Sequence, residues 1–394
     1  MVESSIMFSR KTGMALFRFV LWNRQSYSIM LTSVIISGIM LTTVISNYAS
    51  AFNAGAAGDW GCNSNTKSTL SNIRSHNSPE RIFALGDYSY QSSANCWLDI
   101  ISPVKSITRI AIGNHEDDDS EDFSDYMSAF GLSKTYYTMT FDNMRVIVMD
   151  TDRVSYSKGS SQYNFVVSEL QKASQDSNIK WIVVYLHKEL YTSPNTCGSS
   201  SCSNTGSEPT NLRNIYHPLF DQYGVALVLN GHLHNYQRTF PIKYDSGSPS
   251  SPIKACSNTN SYGNCKGQIY ATVGTGGVNI HGLSGKASWV VYQQDDRFGA
   301  LDLNIENSGN TLAGRYYTND GVQRDFFKLT KTTTSTTSTA TYTFGPSLTL
   351  SGENVETQSG QISGNNDQQQ GLENGQGKGL DCDHFTQQGP ERCR

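Results

Sequence analysis

The chain has no excess of basic residues. Its 30 lysines and arginines stand against 34 aspartates and glutamates, a formal net charge of −4, so it offers no positive field for a nucleic-acid backbone. The glycine-rich stretch Val273-Gly274-Thr275-Gly276-Gly277 is without the lysine of a phosphate-cradling loop. It reads instead as a strand end that comes close to a site. The acidic run Glu116, Asp117, Asp118, Asp119, Ser120, Glu121, Asp122 is without the glycine of an EF-hand loop. It reads as a solvated face rather than a calcium site.

Lysine and arginine are also missing between Arg24 and Lys67, whereas Arg10, Lys11, Arg18 and Arg24 precede an uncharged apolar stretch from Ile29 to Ile45. That asymmetry places the remainder of the chain outside the cell. The stretch is slightly long for a signal-peptide core and at the short limit for a membrane span, and Ala49-Ser50-Ala51 fits a small-residue cleavage site. Residues 1–51 are therefore either a cleaved signal or a single retained membrane anchor, and the protein is expected to be extracellular or at the cell surface. Eight cysteines, an even number, suit an exported chain. Their spacing suggests Cys197 with Cys202, Cys256 with Cys265, Cys62 with Cys96, and Cys382 with Cys393.

With 394 residues, 37% of them hydrophobic, the chain can bury one large α/β core and still leave a remainder that need not be globular. We expect one folded domain over 52–330, a Thr/Ser-rich linker over 331–341, and a low-complexity, disordered tail over 342–394. Helical periodicity marks Ser160 to Ser174 and Asn211 to Gly224. Met144 to Asp150 reads as a buried strand, with Asp150 structural at its end. β-Branched and aromatic runs mark further strands at Gln268 to Val273, Trp289 to Tyr292, Leu301 to Ile305 and Gly314 to Tyr317.

The most informative pattern is a repeated one, in which a short apolar run stops at a glycine or turn and delivers a polar side chain. Arg81 to Gly86 precedes Asp87 and Tyr90, and Ala54 to Gly58 precedes Asp59. Arg109 to Gly113 precedes Asn114, His115 and Glu116. Trp181 to Leu186 precedes His187, and Ala226 to Gly231 precedes His232 and His234. Ligands of open α/β sheets gather beyond the carboxyl ends of strands. Oxygen and nitrogen donors without cysteine suit hard or borderline metals rather than a structural zinc.

In order, Gly58-Asp59-Trp60-Gly61, Gly86-Asp87-Tyr88-Ser89-Tyr90, Gly113-Asn114-His115-Glu116, Val184-Tyr185-Leu186-His187 and Gly231-His232-Leu233-His234 resemble the motifs of calcineurin-like metallophosphoesterases. A tyrosine three residues after the second aspartate is similar to the purple acid phosphatase pattern. The resemblance runs from Asp59 to about Arg238, with Gly267 to Lys328 looking like the family's closing strands. It implies a metallophosphoesterase β-sandwich, two mixed sheets flanked by helices, with a dinuclear metal site at strand carboxyl ends. Residues 52–330 would be the catalytic domain.

By the same resemblance Asp87 bridges two metals. Asp59, Tyr90 and His234 complete the first site, and Asn114, His187 and His232 the second. A phenolate donor points to Fe(III) in the first site, with Zn, Fe(II) or Mn in the second. His115 would face the substrate phosphate and leaving group, and Glu116 would orient it. Many purple acid phosphatases carry a further histidine after the Val-x-x-His motif, yet none occurs here from Lys188 to Tyr216. Lys188, Tyr191 and His281 are candidate substitutes, while His217 is assigned to a helix surface. The function so implied is an extracytoplasmic phosphatase hydrolysing small phosphomonoesters with metal-activated water. The alternatives are a phosphodiesterase or nucleotidase of the same fold, and a surface-binding protein that has lost catalysis. Oligomeric state is not readable from these motifs.

Overall fold

The computed structural model describes residues 52–118 and 120–331, with only the backbone described for most of the acidic run. The expected leader over 1–51, the linker beyond Lys331, and the tail over 342–394 with Cys382 and Cys393 lie outside the described residues. Among the described residues no helix is long and apolar enough to cross a membrane.

In chain order the first strands are β1 (Asn53–Ala57), β2 (Arg81–Ala84), β3 (Thr108–Ile110), β4 (Tyr137–Phe141), β5 (Met144–Val148), β6 (Trp181–Tyr185), β7 (Leu227–Asn230) and β8 (Tyr236–Thr239). The short pair β9 (Ile242–Lys243) and β10 (Ile253–Lys254) stands apart from the large sheets. The chain then continues through β11 (Ser261–Gly263), β12 (Ile269–Val273), β13 (Val290–Gln294), β14 (Gly299–Glu306), β15 (Thr311–Thr318) and β16 (Gln323–Thr330). Two mixed sheets of seven strands result, ordered β11-β16-β15-β14-β1-β2-β3 and β13-β8-β12-β7-β6-β5-β4. The neighbours β1, β2 and β3 are parallel, as are β5, β6, β7 and β12.

The sheets pack face to face because their strands are apolar on alternate, and often on both, sides. In β6, Trp181, Val183 and Tyr185 enter the core between the sheets, while Ile182 and Val184 belong to a second cluster on the opposite face. Period-two alternation produces this division, and burial on both faces explains the uninterrupted apolar run. The second cluster is closed by two helices. One, Ser161–Gln175, is capped by the Ser160 side chain, which accepts from the Tyr163 amide. The other, Ser207–Tyr223, buries Leu212, Tyr216 and Phe220 and ends at Gly224 with φ 70°. It begins four residues before the sequence reading placed it, because Glu208 and Pro209 suit a first helical turn. A helix over Ser64–Asn77 lies on the other sheet, so close to β1 that a Cβ on Gly55 would stand 2.4 Å from Ile73 Cγ2.

Disulfides join Cys62 to Cys96, Cys197 to Cys202 and Cys256 to Cys265. The first ties the loop after β1 to the helix Asn95–Ile101 that follows the β2 loop. Two segments carrying candidate ligands are thereby fastened together.

On β14, Leu301 and Leu303 point into the core between the sheets and Asp302 points the other way, 4% exposed. Burial pushes its carboxyl up to about 7, against the opposing pull of Arg315. An acid whose folded-state pKa is raised contributes stability that is complete below its unfolded value of about 4 and lost as pH rises through about 7. Wild type should therefore lose about 1–3 kcal/mol of unfolding free energy between pH 4 and pH 8 relative to Asp302→Asn. Denaturant titrations of both proteins at the two pH values check this.

Candidate metal centre

The carboxyl ends of β1, β2 and β3 in one sheet meet those of β6 and β7 in the other. Main-chain bonds lock the edge: Asp59 N donates to Gly86 O (3.1 Å), Gly231 N to His187 O (3.0 Å) and Gly58 N to Val273 O (2.9 Å). The strands deliver their polar residues through sharp turns in which Asp59, Asp87, Tyr90 and His232 have φ of 60°, 55°, 56° and 67°. Left-handed backbone at non-glycine residues costs about 1–3 kcal/mol each and persists only where the surroundings enforce it. The turn glycines also make room, since a Cβ on Gly113 would stand 2.2 Å from Asp87 Oδ1.

Two clusters form around one carboxylate. Donor atoms of Asp59, Asp87 and His234 lie within 4.8 Å of one another, as do those of Asp87, His187 and His232, so Asp87 belongs to both. In the first, the Tyr90 hydroxyl is 3.2 Å from Asp59 Oδ1, 3.1 Å from Asp87 Oδ2 and 3.0 Å from His234 Nε2. In the second, Asn114 Oδ1 is 3.1 Å from His187 Nε2 and 2.9 Å from His232 Nδ1. His187 Nε2 is also 3.2 Å from Asp87 Oδ2.

The tautomers are set by carbonyls, which only accept. His187 Nδ1 lies 2.8 Å from Leu85 O and His234 Nδ1 lies 2.6 Å from Asn279 O. Each Nδ1 must carry hydrogen, which turns a lone pair on Nε2 inward when the ring is neutral. The first cluster is then three acceptors around a phenol that has one proton to share. Asp59 Oδ2 is buried with no hydrogen-bond partner among the described residues. Acceptors packed against acceptors need positive charge between them, and this donor set fits a pair of metal ions.

The titration behaviour has the same cause. Burial raises Asp59, and the neighbouring Asp87 raises it further. Burial also opposes ionisation of Asp87, yet His187 prevails and holds it below the usual carboxylate range. His187 responds in kind, pushed up by Asp87 despite its burial. Burial, reinforced by His187, lowers His232 to about 3, and burial with His281 lowers His234 to about 4. Asp87 and His187 thus favour each other's charged form across 3.2 Å.

His115 stands at the mouth, its side chain 40% exposed. Its amide donates to Asp87 Oδ1 at 3.0 Å, and its ring lies over Tyr90 with centroids 4.1 Å apart. Several expectations need correction. Glu116 was expected to orient the His115 ring, but it is 1% exposed and grips backbone: it accepts from the amides of Asp87 (2.9 Å), Tyr88 (2.7 Å) and Gly113 (2.9 Å). Three amide donors converging from two turns attract a carboxylate more strongly than a single imidazole, so Glu116 staples the β2 and β3 turns together instead of solvating a surface. Lys188 is no free acid, because Asp152 and Glu208 hold its ammonium at 2.8 and 2.9 Å and raise its pKa. Tyr191 is 3% exposed with its hydroxyl 2.7 Å from His217 Nδ1. His217, assigned to a helix surface, is buried in that pair. Of the three substitutes only His281 reaches the clusters, stacked on His234 with centroids 3.9 Å apart.

Asp150 is structural, its Oδ1 accepting from the amides of Asp152 and Arg153. Asn279 was missed altogether. It contributes a carbonyl, which no side-chain pattern announces; its place just after the glycine-rich stretch was the available signal. Glu116→Gln should lower the stability of metal-free protein by about 1–3 kcal/mol, since an amide leaves one of the three buried donors without an acceptor. Thermal unfolding in the presence of a chelator measures this without involving metal.

The model of the calcineurin-like phosphoesterase family matches residues 53–236. An uncharacterized protein of Mycobacterium tuberculosis is 28% identical over 43% of this chain and 35% of its own length. From Arabidopsis thaliana, probable inactive purple acid phosphatase 1 is 25% identical over 64% of this chain and 43% of its own. Purple acid phosphatase 18 is 25% identical over 65% and 57% respectively. The chain thus spans between about a third and three fifths of the length of these relatives. A purple acid phosphatase from yellow lupin (Lupinus luteus) seeds has the same fold, with a TM-score of 0.61 and 22% identity over 72% of this chain and 55% of that one. Together with the motifs on five meeting strand ends and the paired donor clusters, this match makes residues 53–236 similar to calcineurin-like phosphoesterases, and among them to purple acid phosphatases.

Proposed function

We propose that the protein is an extracytoplasmic phosphatase that hydrolyses small phosphomonoesters at a dinuclear metal centre. The observation that carries this is the sharing of Asp87 between two donor clusters. Asp59, Asp87, Tyr90 and His234 would hold the first metal and Asp87, Asn114, His187 and His232 the second. A phenolate donor favours Fe(III) in the first position; Zn, Fe(II) or Mn suits the second. Such a pair supplies activated water and neutralises charge on the transferring phosphoryl group.

The chain's own residues supply the rest. Asp87 is held ionised beside His187, and the carbonyls of Leu85 and Asn279 keep two imidazoles facing inward. His115, exposed at the mouth, is placed to donate a proton or hydrogen bond to the departing oxygen. The disulfides and the amino-terminal charge asymmetry support a place outside the cytoplasm, at the cell surface or secreted. Phosphodiester or nucleotide substrates remain the alternative within this fold. A catalytically inactive binding protein is the second reading, favoured by the engagement of Lys188 and Tyr191 elsewhere.

Metal analysis together with turnover of p-nitrophenyl phosphate decides between these readings. Two metals with turnover support the phosphatase, and two metals without turnover on any phosphoester support the binding protein. Iron at Tyr90 should produce a visible phenolate-to-iron absorption that Tyr90→Phe abolishes; a colourless, iron-free, active wild type would refute Fe(III). Asp87→Asn should lose both metals and all activity. His115→Ala should retain both metals and lose about 10²- to 10⁴-fold in turnover. That loss should be smaller for nitrophenyl than for alkyl esters, and an equal loss for both would remove the proton-donor role.

A further inference from the structure

We propose that His281 is a positioning residue whose imidazole face, rather than its nitrogens, holds His234 in the orientation that turns Nε2 toward Asp59, Asp87 and Tyr90. This rests on the dinuclear reading and adds to it the residue that keeps one side of the first position in place.

His234 is the least enclosed of that position's three paired His/Asp donors, 8% exposed against 0% for Asp59 and 1% for Asp87. Burial alone therefore immobilises it less. The segment 279–281 wraps it instead: Asn279 O accepts from His234 Nδ1 and the His281 amide donates to His234 O at 2.9 Å. The His281 ring then lies against the His234 ring, centroids 3.9 Å apart and planes 12° from parallel. On another side the Tyr90 ring meets His234 edge-on, at 5.9 Å and 86°. The bonds at Nδ1, to Asn279 O, and at Nε2, to the Tyr90 hydroxyl, hold the two ends of the imidazole but do not fix the tilt of its plane. A flat ring on its face and an aromatic edge together remove that freedom.

The use of the face is indicated by the state of His281 Nδ1. Nδ1 is buried and has no hydrogen-bond partner among the described residues, an arrangement that costs stability and would be relieved by an apolar ring of similar shape. The loop around it does not depend on the side chain. Gly276 N donates to Gly58 O (2.8 Å), Val278 N to Asp59 O (3.0 Å), Thr196 N to Gly282 O (2.8 Å) and Ser284 N to Pro194 O (3.0 Å). Truncating His281 should thus remove the backstop and leave the Asn279 carbonyl where it is.

The test compares full-length wild type, His281→Ala and His281→Phe. Metal content and the rate of metal release to a chelator are read by elemental analysis. We expect His281→Ala to bind one of its two metals about 10- to 100-fold more weakly, the usual effect of losing a group that orients a ligand, while His281→Phe keeps both as wild type does. Long-range proton–nitrogen spectra of the imidazoles in metal-free protein supply a readout that a general loss of stability would not move. His234 should keep its Nδ1–H form in wild type and His281→Phe and become a mixture of tautomers in His281→Ala. Unchanged metal release and an unchanged His234 signal in His281→Ala would overturn the proposal, as would a His281→Phe variant as impaired as His281→Ala. A wild type that binds no metal pair would instead sink the dinuclear reading, and the imidazole spectra would still decide the positioning role.

Discussion

One electrostatic constraint accounts for most of the unusual features of this fold: several hydrogen-bond acceptors are held within contact of one another around Asp87, with too few protons to go between them. Asp59, His234 and Tyr90 press on one side of that carboxylate, and His187 with Asn114 and His232 on the other. Left to themselves these groups would separate or take up protons. Four of them, His187, His234, Asp87 and Asp59, are anchored by backbone groups with no choice of role. Backbone carbonyls accept from the outer nitrogens of His187 and His234, and amides of His115 and His232 donate to Asp87 and Asp59.

The scaffold is arranged to bear this strain. Two seven-stranded sheets bury continuous apolar strands and bring five of their ends to one edge, where the turns adopt left-handed backbone at Asp59, Asp87, Tyr90 and His232. Glu116 holds the turns after β2 and β3 together through three amides, and the Cys62–Cys96 disulfide fastens the outer parts of the β1 and β2 loops. Rigidity of this kind suits a site whose purpose is to hold charge in fixed positions, because preorganised dipoles need no rearrangement when charge develops.

Around the edge, charge is also kept away from the site. Lys188 comes directly after His187, yet its ammonium is turned back to Asp152 and Glu208. Tyr191 is drawn into a buried pair with His217. His115 and His281 each lie against the ring of a cluster residue, Tyr90 and His234 respectively.

Much of the architecture was legible in the sequence, and the reasons are local. Apolar runs closed by a glycine or a turn announced β1, β2, β6 and β7 and the polar residues beyond them, and cysteine spacing within single loops anticipated Cys197–Cys202 and Cys256–Cys265. Helix Ser161–Gln175 carried its cap and period on its surface. These are properties of neighbouring residues, and periodicity and turn chemistry record them faithfully. Apart from Cys62–Cys96 and the ligand groups that the family resemblance implied, partners separated by long stretches of chain were not legible. Nothing near Glu116 says that its oxygens will meet the amides of Asp87 and Tyr88, nor does anything near Lys188 name Glu208. The burial of His217, the carbonyl of Asn279 and the ring of His281 over His234 depend likewise on how two sheets pack and where their edges fall. The sequence by itself determined which donors stand at which strand ends. Only the tertiary structure decided which of them face each other, because that depends on sheet packing across the core, a non-local property that no local pattern encodes.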